Sequence, residues 1–257
     1  MLLLLPPSEG KARGGTGAPL DLDNLSFPSL TSTRRQLVTS LESLAETRPD
    51  DLRAALGLSP GQQDELAADA VLTTSATLPA WRRYTGVLYD ALDYASLSGP
   101  ARRRASSSIV VVSALFGLVH PGDRLPAYRL SGTTRLPGIG GLPALWRPVL
   151  EPELAAVRGL VVDLRSGPYA ALARVDRAVR VRVLRENQGV RTVVSHDNKH
   201  TKGALARLLC QHGARTPADV AEVGREVADD VDVLDGQVDL VLHGLASARA
   251  PHDQDKI

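Results

Sequence analysis

Residues 109–146 read Ile109-Val-Val-Val-Ser113-Ala-Leu-Phe-Gly117-Leu-Val-His-Pro-Gly-Asp123-Arg-Leu-Pro-Ala-Tyr128-Arg129-Leu-Ser-Gly-Thr-Thr-Arg135-Leu-Pro-Gly138-Ile-Gly140-Gly-Leu-Pro-Ala-Leu-Trp146. A β-branched apolar run stops at Ser113. A stretch dense in glycine and proline follows, carrying Asp123, Tyr128, Arg129 and Arg135. Short apolar runs bounded by such punctuation usually belong to a central sheet. Polar groups just past the end of a central strand stand where open sheets form their clefts. The competing reading, favoured by composition alone, is a long surface connection built of turn residues.

Outward from this stretch, Leu2–Leu5 reads as a fully apolar, central strand. Pro6 and Pro7 end it, and Ser8-Glu9-Gly10-Lys11 turns over its carboxyl edge. Residues 159–164 form another buried strand, with Asp163, Arg165 and Ser166 at its carboxyl end. Residues 177–185 alternate arginine with apolar residues, the pattern of a half-exposed strand, and 191–195 lie beside it. A terminal hairpin is expected over 231–243, around Asp235-Gly236. Helices are expected over 31–47, 51–57, 60–69, 100–105, 142–150, 151–158, 201–213 and 217–227. Residues 79–97 carry Trp81, Tyr84, Leu88, Leu92 and Leu97 at near-helical spacing, with a kink at Tyr84-Thr85-Gly86. Residues 12–30 read as a long loop or flap, and 246–257 as a disordered tail after a single domain over 1–245.

The chain has 257 residues and a net charge of +1, so a nucleic-acid site would have to be a local patch. A lone cysteine, Cys210, excludes an internal disulfide and a multi-cysteine metal site. Leu2–Leu5 is too short to span a membrane, and no signal peptide is evident, so a cytoplasmic protein without a membrane partner is expected. Only four lysines occur, Lys11, Lys199, Lys202 and Lys256; the other cations are arginine. Lysine is the compact cation that can lose its proton when buried. Three of the four fall at the strand ends and helix starts that carry the motifs described next.

The block Ser113-Ala-Leu-Phe-Gly-Leu-Val-x-Pro-x-Asp123-x-x-x-x-Tyr128-Arg129-Leu resembles the central signature of the YaaA family, peroxide-stress proteins formerly classed as a domain of unknown function. Four other blocks agree in order: Leu2 to Lys11; Tyr84-Thr85-Gly86; Val161-Val-Asp163-Leu-Arg165-Ser166-x-x-Tyr169; and Lys199-x-x-Lys202-Gly203 with Arg207. The resemblance implies an α+β fold, one domain with a mixed central β-sheet surrounded by helices. It also implies protection from peroxide stress by lowering unincorporated iron, and DNA binding through a positively charged cleft with a helix-hairpin-helix-like motif. The chain departs from the family pattern at Asp163 (Asn), Arg165 (Ala) and Lys202 (Arg).

If the three strand ends lie in one sheet, Ser8, Lys11, Tyr128, Arg129, Arg165, Ser166 and Tyr169 converge. With Lys199, Lys202 and Arg207 they make a cationic cleft suited to phosphate. The alternative is that these groups pair with Glu9, Asp123 and Asp163 as structural ion pairs. Arg135, Gly138 and Gly140 belong to Leu-Pro-Gly-Ile-Gly-Gly, which resembles the hairpin of a helix-hairpin-helix; glycines there let backbone N–H groups approach a phosphate. A plain turn entering a helix is the other reading. His196 and His200 have metal-capable spacing but no third ligand, so no metal or cofactor is expected. The expected partner is DNA, duplex or single-stranded. The alternative is an enzyme acting on a nucleotide or other small anion, with Lys11, Glu9 and Asp163 as candidate catalytic groups.

Overall fold

The computed structural model describes residues 1–193 and 196–243, without the side chains of His196 and Asp197. The expected tail over 246–257, Ser195 and the His196 half of the two-histidine spacing therefore lie outside the described residues.

Eight strands make the central sheet: β1 (Leu2–Leu5), β2 (Ile109–Ser113), β3 (Gly117–Val119), β4 (Val161–Asp163), β5 (Val179–Asn187), β6 (Val190–Val193), β7 (Asp230–Leu234) and β8 (Gln237–His243). Their order is β7-β8-β5-β4-β1-β2-β3, with β6 on β5. The centre is parallel: Leu3 stands opposite Ile109 on one side and Val162 on the other. The edges β3, β6 and β7 are antiparallel, which makes the sheet mixed and the class α+β. Four leucines in a row suit β1 because both of its faces are covered; all four are buried. In β5, Arg180 and Arg182 are exposed between buried valines, the expected alternation.

The helices around the sheet are α1 (Thr31–Thr47), α2 (Pro49–Leu56), α3 (Gln63–Asp69), α4 (Ala80–Arg83), α5 (Val87–Leu92), α6 (Gly99–Ser108), α7 (Leu142–Ala156), α8 (Gly167–Ala170), α9 (His196–His212) and α10 (Pro217–Gly224). The short α8 is not among the expected helices, and three other segments differ from expectation. The kink at Tyr84-Thr85-Gly86 is a break between α4 and α5, because Gly86 takes φ 91°, ψ −179°, a conformation closed to side chains with a Cβ. The two segments expected over 142–158 are one helix running through Pro148 and Pro152. Leu142, Trp146, Leu150 and Leu154 are buried at four-residue spacing along it, and this packing outweighs the two missing N–H donors. Helix α9 begins at His196 rather than 201, which brings Lys199 onto the helix.

The flap expected over 12–30 is clamped. Gly17–Pro19 pairs with Ala76–Pro79, which pairs in turn with Arg124–Leu125. Asp123 accepts from the N–H and hydroxyl of Ser26 with one carboxylate oxygen and from the His120 N–H with the other. Arg34, fully buried, donates to the carbonyls of Ser26, Phe116 and Leu118. Leu118 lies in the edge strand β3 and Phe116 immediately precedes it, so the guanidinium caps carbonyls that lack a neighbouring strand. Burial lowers its pKa to about 10, against the field of Asp123. No helix among the described residues is long and apolar enough to cross a membrane.

Candidate functional site

From β1 the chain crosses to β2 on one side, then returns past β1 to β4 on the other. Such a reversal opens a crevice at the carboxyl ends of the strands. A cleft of about 570 Å³ lies there, lined by residues 6–10, 85–89, Leu164, Ser166, Tyr169, Val193, Asn198, Lys199 and Lys202. Pro6, Pro7, Leu88 and Leu164 supply an apolar floor, and the polar groups ring it. Strand β6 lies on the same side of β5 as β4 but further along, so Val193 closes one wall.

Short contacts hold each wall. Ser8 Oγ accepts the Thr85 N–H (3.0 Å), tying the turn after β1 to the break before α5. Tyr89 donates its hydroxyl to the Pro6 carbonyl (2.7 Å). Helix α9 meets α5 at Gly203, where a Cβ would stand 2.1 Å from the Leu88 carbonyl oxygen. Glycine at that one position lets the two backbones touch and sets Lys199 and Lys202 over the cleft. Lys199 is exposed. Lys202 is buried, its ammonium 3.5 Å from the Arg165 carbonyl. Burial lowers its pKa to about 8, with Asp163 opposing the shift.

Glu9 is fixed from two sides. Its Oε1 accepts the Tyr169 hydroxyl (3.1 Å), and its Oε2 pairs with Arg129 Nη1 (3.2 Å). Burial, then the nearby carboxylate, raises the Tyr169 pKa, so the phenol stays a donor. The Arg129 backbone N–H goes to Asp69 Oδ1 (2.8 Å).

Other expected site residues stand apart from the cleft or are committed elsewhere. Arg165 is buried and grips Asp163 with two parallel bonds (2.9 and 2.8 Å), and its Nη1 reaches the Tyr169 and Ala173 carbonyls. Neither partner of this pair faces a ligand freely: the ion-pair alternative describes them. Arg207 donates to the Leu92 and Asp93 carbonyls at the end of α5. Arg135 and Gly140 sit in a two-strand hairpin, Arg135–Leu136 with Gly140–Gly141, joined by a turn containing Gly138. Gly138 and Gly140 have φ of 80° and 86°. Strand, not helix, precedes this turn into α7, and none of the three residues lines the cleft.

Lys11 and Tyr128 line a second cavity, of about 380 Å³, on the other side of the Ser8–Lys11 turn. The Lys11 ammonium lies 4.1 Å from the Tyr128 ring centre and donates to the Ser8 carbonyl (3.0 Å). Burial lowers its pKa to about 8, Arg129 adding to the shift while Glu9 and Asp69 oppose it. Beneath it runs a hydroxyl chain. Ser113 Oγ accepts the N–H groups of Leu115 and Phe116, which leaves its proton for Tyr128, and Tyr128 then donates to Tyr84. Burial pushes the Tyr84 pKa up to about 12. Asp69, the last residue of α3, has one oxygen buried without a partner, and burial raises its pKa to about 8. Among the described residues no three His, Cys, Asp or Glu side chains group as a metal site.

The family model described as peroxide stress protein YaaA matches residues 1–227. The chain belongs to the YaaA family. A UPF0246 protein of Corynebacterium efficiens is 46% identical over 244 residues, which cover 92% of this chain and 97% of that relative. One from Streptomyces coelicolor is 46% identical over 242 residues, 90% and 92% of the two chains. The central YaaA block, Ser113 to Arg129, thus divides its work. Ser113, Tyr128 and Asp123 hold the fold, while Arg129 positions Glu9 at the cleft. Sequence alone does not single out Asn198, Thr85 or Asp69. Asn198 lies before the expected helix start, and an acidic residue closing a polar helix carries no mark of burial.

Proposed function

We propose that this YaaA-family chain acts in peroxide stress by binding DNA through the cleft at the end of β1, with one unpaired nucleotide entering it. The observation that carries this is the meeting of Lys199 and Lys202 with an apolar floor in one crevice at the sheet's reversal. Lysines over a low-dielectric hollow attract phosphate far better than scattered ones. The floor offers a base the apolar contact it gives up on leaving a stack. At about 570 Å³ the space suits a small-molecule-sized group, not a duplex. On this reading, limitation of iron-dependent damage follows from DNA being held, not from iron being bound. The same volume favours a second reading, a free nucleotide or similar anion as ligand or substrate.

The test is fluorescence anisotropy of labelled single-stranded and duplex DNA across a salt series, with mononucleotides as competitors. Single strands should bind more tightly than duplex, and affinity should fall as pH rises through about 8, where Lys202 loses its proton. Lys199→Ala/Lys202→Ala should weaken binding and flatten the salt slope, by about one unit for each phosphate no longer held by a lysine. Absence of DNA binding at low salt, with mononucleotides still bound, would transfer the site to the second reading. Equal binding by the double variant would remove the cleft from either.

A further inference from the structure

The Glu9 carboxylate sits in a cleft otherwise built for phosphate, where a negative charge weakens binding unless it meets a donor. Its exposure is half that of a free side chain, 49%, while Arg129 is 23% exposed. Each carboxylate oxygen has two lone-pair sites. Tyr169 donates to Oε1, while Arg129 stands 3.2 Å from Oε2 as an ion pair and donates to the Glu9 carbonyl. At least one acceptor site on each oxygen is left, and the carboxylate lines the cleft.

Resting on the cleft reading above, we infer that Glu9 reads a guanine base through its Watson–Crick edge. Guanine offers two neighbouring donors there, N1–H and the N2 amine, which match two parallel acceptors. Adenine sets its amine beside the N1 lone pair, and cytosine sets its amine beside N3. Thymine flanks N3–H with carbonyls. Each of those three would turn a lone pair toward the carboxylate. Glu9 comes from the turn after β1 and the lysines from α9, so base and phosphate meet different walls of the cleft. Oxidation at C8 leaves the guanine edge unchanged, so the oxidised base fits the same acceptors.

The probe is a thymine homo-oligomer with a single central guanine, adenine, cytosine or hypoxanthine, and a further version in which that guanine is a ribonucleotide. Binding is measured to the wild-type chain and to Glu9→Gln, whose melting curve checks the fold. The guanine oligomer should bind on the order of 10- to 100-fold more tightly than the thymine one, the worth of one good bidentate pair. Hypoxanthine, which keeps N1–H and lacks the amine, should fall between. In Glu9→Gln the guanine and thymine oligomers should converge, because the amide turns a donor toward guanine's donors. Equal binding of all oligomers by the wild type would overturn the guanine inference and leave the cleft reading standing. Tightening by the ribose form alone would overturn it in favour of a sugar hydroxyl as the donor. Failure of every oligomer to bind would remove both.

Discussion

Replacing Gly203 by alanine tests whether the cleft depends on the contact between α9 and α5. At an exposed helical position this change stabilises, by about 1 kcal/mol, because alanine is the better helix former. Here the new Cβ would stand 2.1 Å from the Leu88 carbonyl oxygen and 2.9 Å from Ala91 Cβ, where real Cβ contacts do not fall below 3.0 Å. The obstacle is backbone, so no side chain can swing aside, and α9 must retreat by about 0.9 Å. Overpacking of this kind costs about 1–3 kcal/mol, sometimes more, which exceeds the propensity gain over most of that range. At roughly 2–4 °C per kcal/mol for a chain of this size, the variant should melt several degrees lower. Retreat of α9 also carries Lys199 and Lys202 away from the floor, so DNA affinity should fall with stability. Calorimetry and the anisotropy assay measure the two effects. A variant that melts higher than the wild type and binds as well would refute the claim that this crossing sets the lysines.

Two further outcomes follow from groups outside the cleft. Asp163→Asn leaves the Arg165 guanidinium, 1% exposed, without its counter-charge, and should lower stability by about 3–5 kcal/mol in urea denaturation; a loss below about 1 kcal/mol would show that the pair is not the anchor of this strand end. Asp69 has a folded pKa of about 8 against 3.8, raised by burial first, so between these values the folded chain binds more protons than the unfolded one. Stability must then fall as pH rises through that window. Asp69→Asn keeps an oxygen for the Arg129 N–H and should remove this fall, and parallel stability curves for the two proteins would count against it.

The central strands were legible because their residues allow nothing else: Leu2–Leu5 and Ile109–Ser113 have no polar face to give to water. The hairpin around Asp235-Gly236 was legible for the opposite reason, a turn dipeptide between alternating runs. Placing three strand ends in one sheet brings Ser8, Ser166 and Tyr169 together, but Lys11 and Tyr128 line a separate cavity, and Lys199 and Lys202 reach the cleft from a helix. What sequence could not separate was an arginine for a ligand from an arginine for the fold. Arg165 and Arg207 read equally as anion ligands or as structural groups, and they serve Asp163 and helix-end carbonyls, while Arg34 and Arg83, fully buried, carry no signal at all. Guanidinium groups satisfy carbonyls and phosphates by the same donors, so only the surroundings decide. Helix α7 runs unbroken through two prolines, because their local cost is outweighed by an apolar stripe whose partners are visible only once its neighbours are in place.

The position of β1 has a consequence in time. Leu3 pairs with Ile109 on one edge and with Val162 on the other, so β1 is synthesised before both of its neighbours and must wait for each. At about 5–20 residues per second, roughly 160 residues take on the order of ten seconds to synthesise. Both hydrogen-bonding edges of four consecutive leucines are open until Ile109 is made, and one stays open until Val162 is made; unpaired strand edges with apolar side chains are what aggregation recruits. A segment that ends buried in the middle of the sheet is therefore exposed during synthesis, and growth rate or chaperone supply should affect the yield of this protein through those leucines.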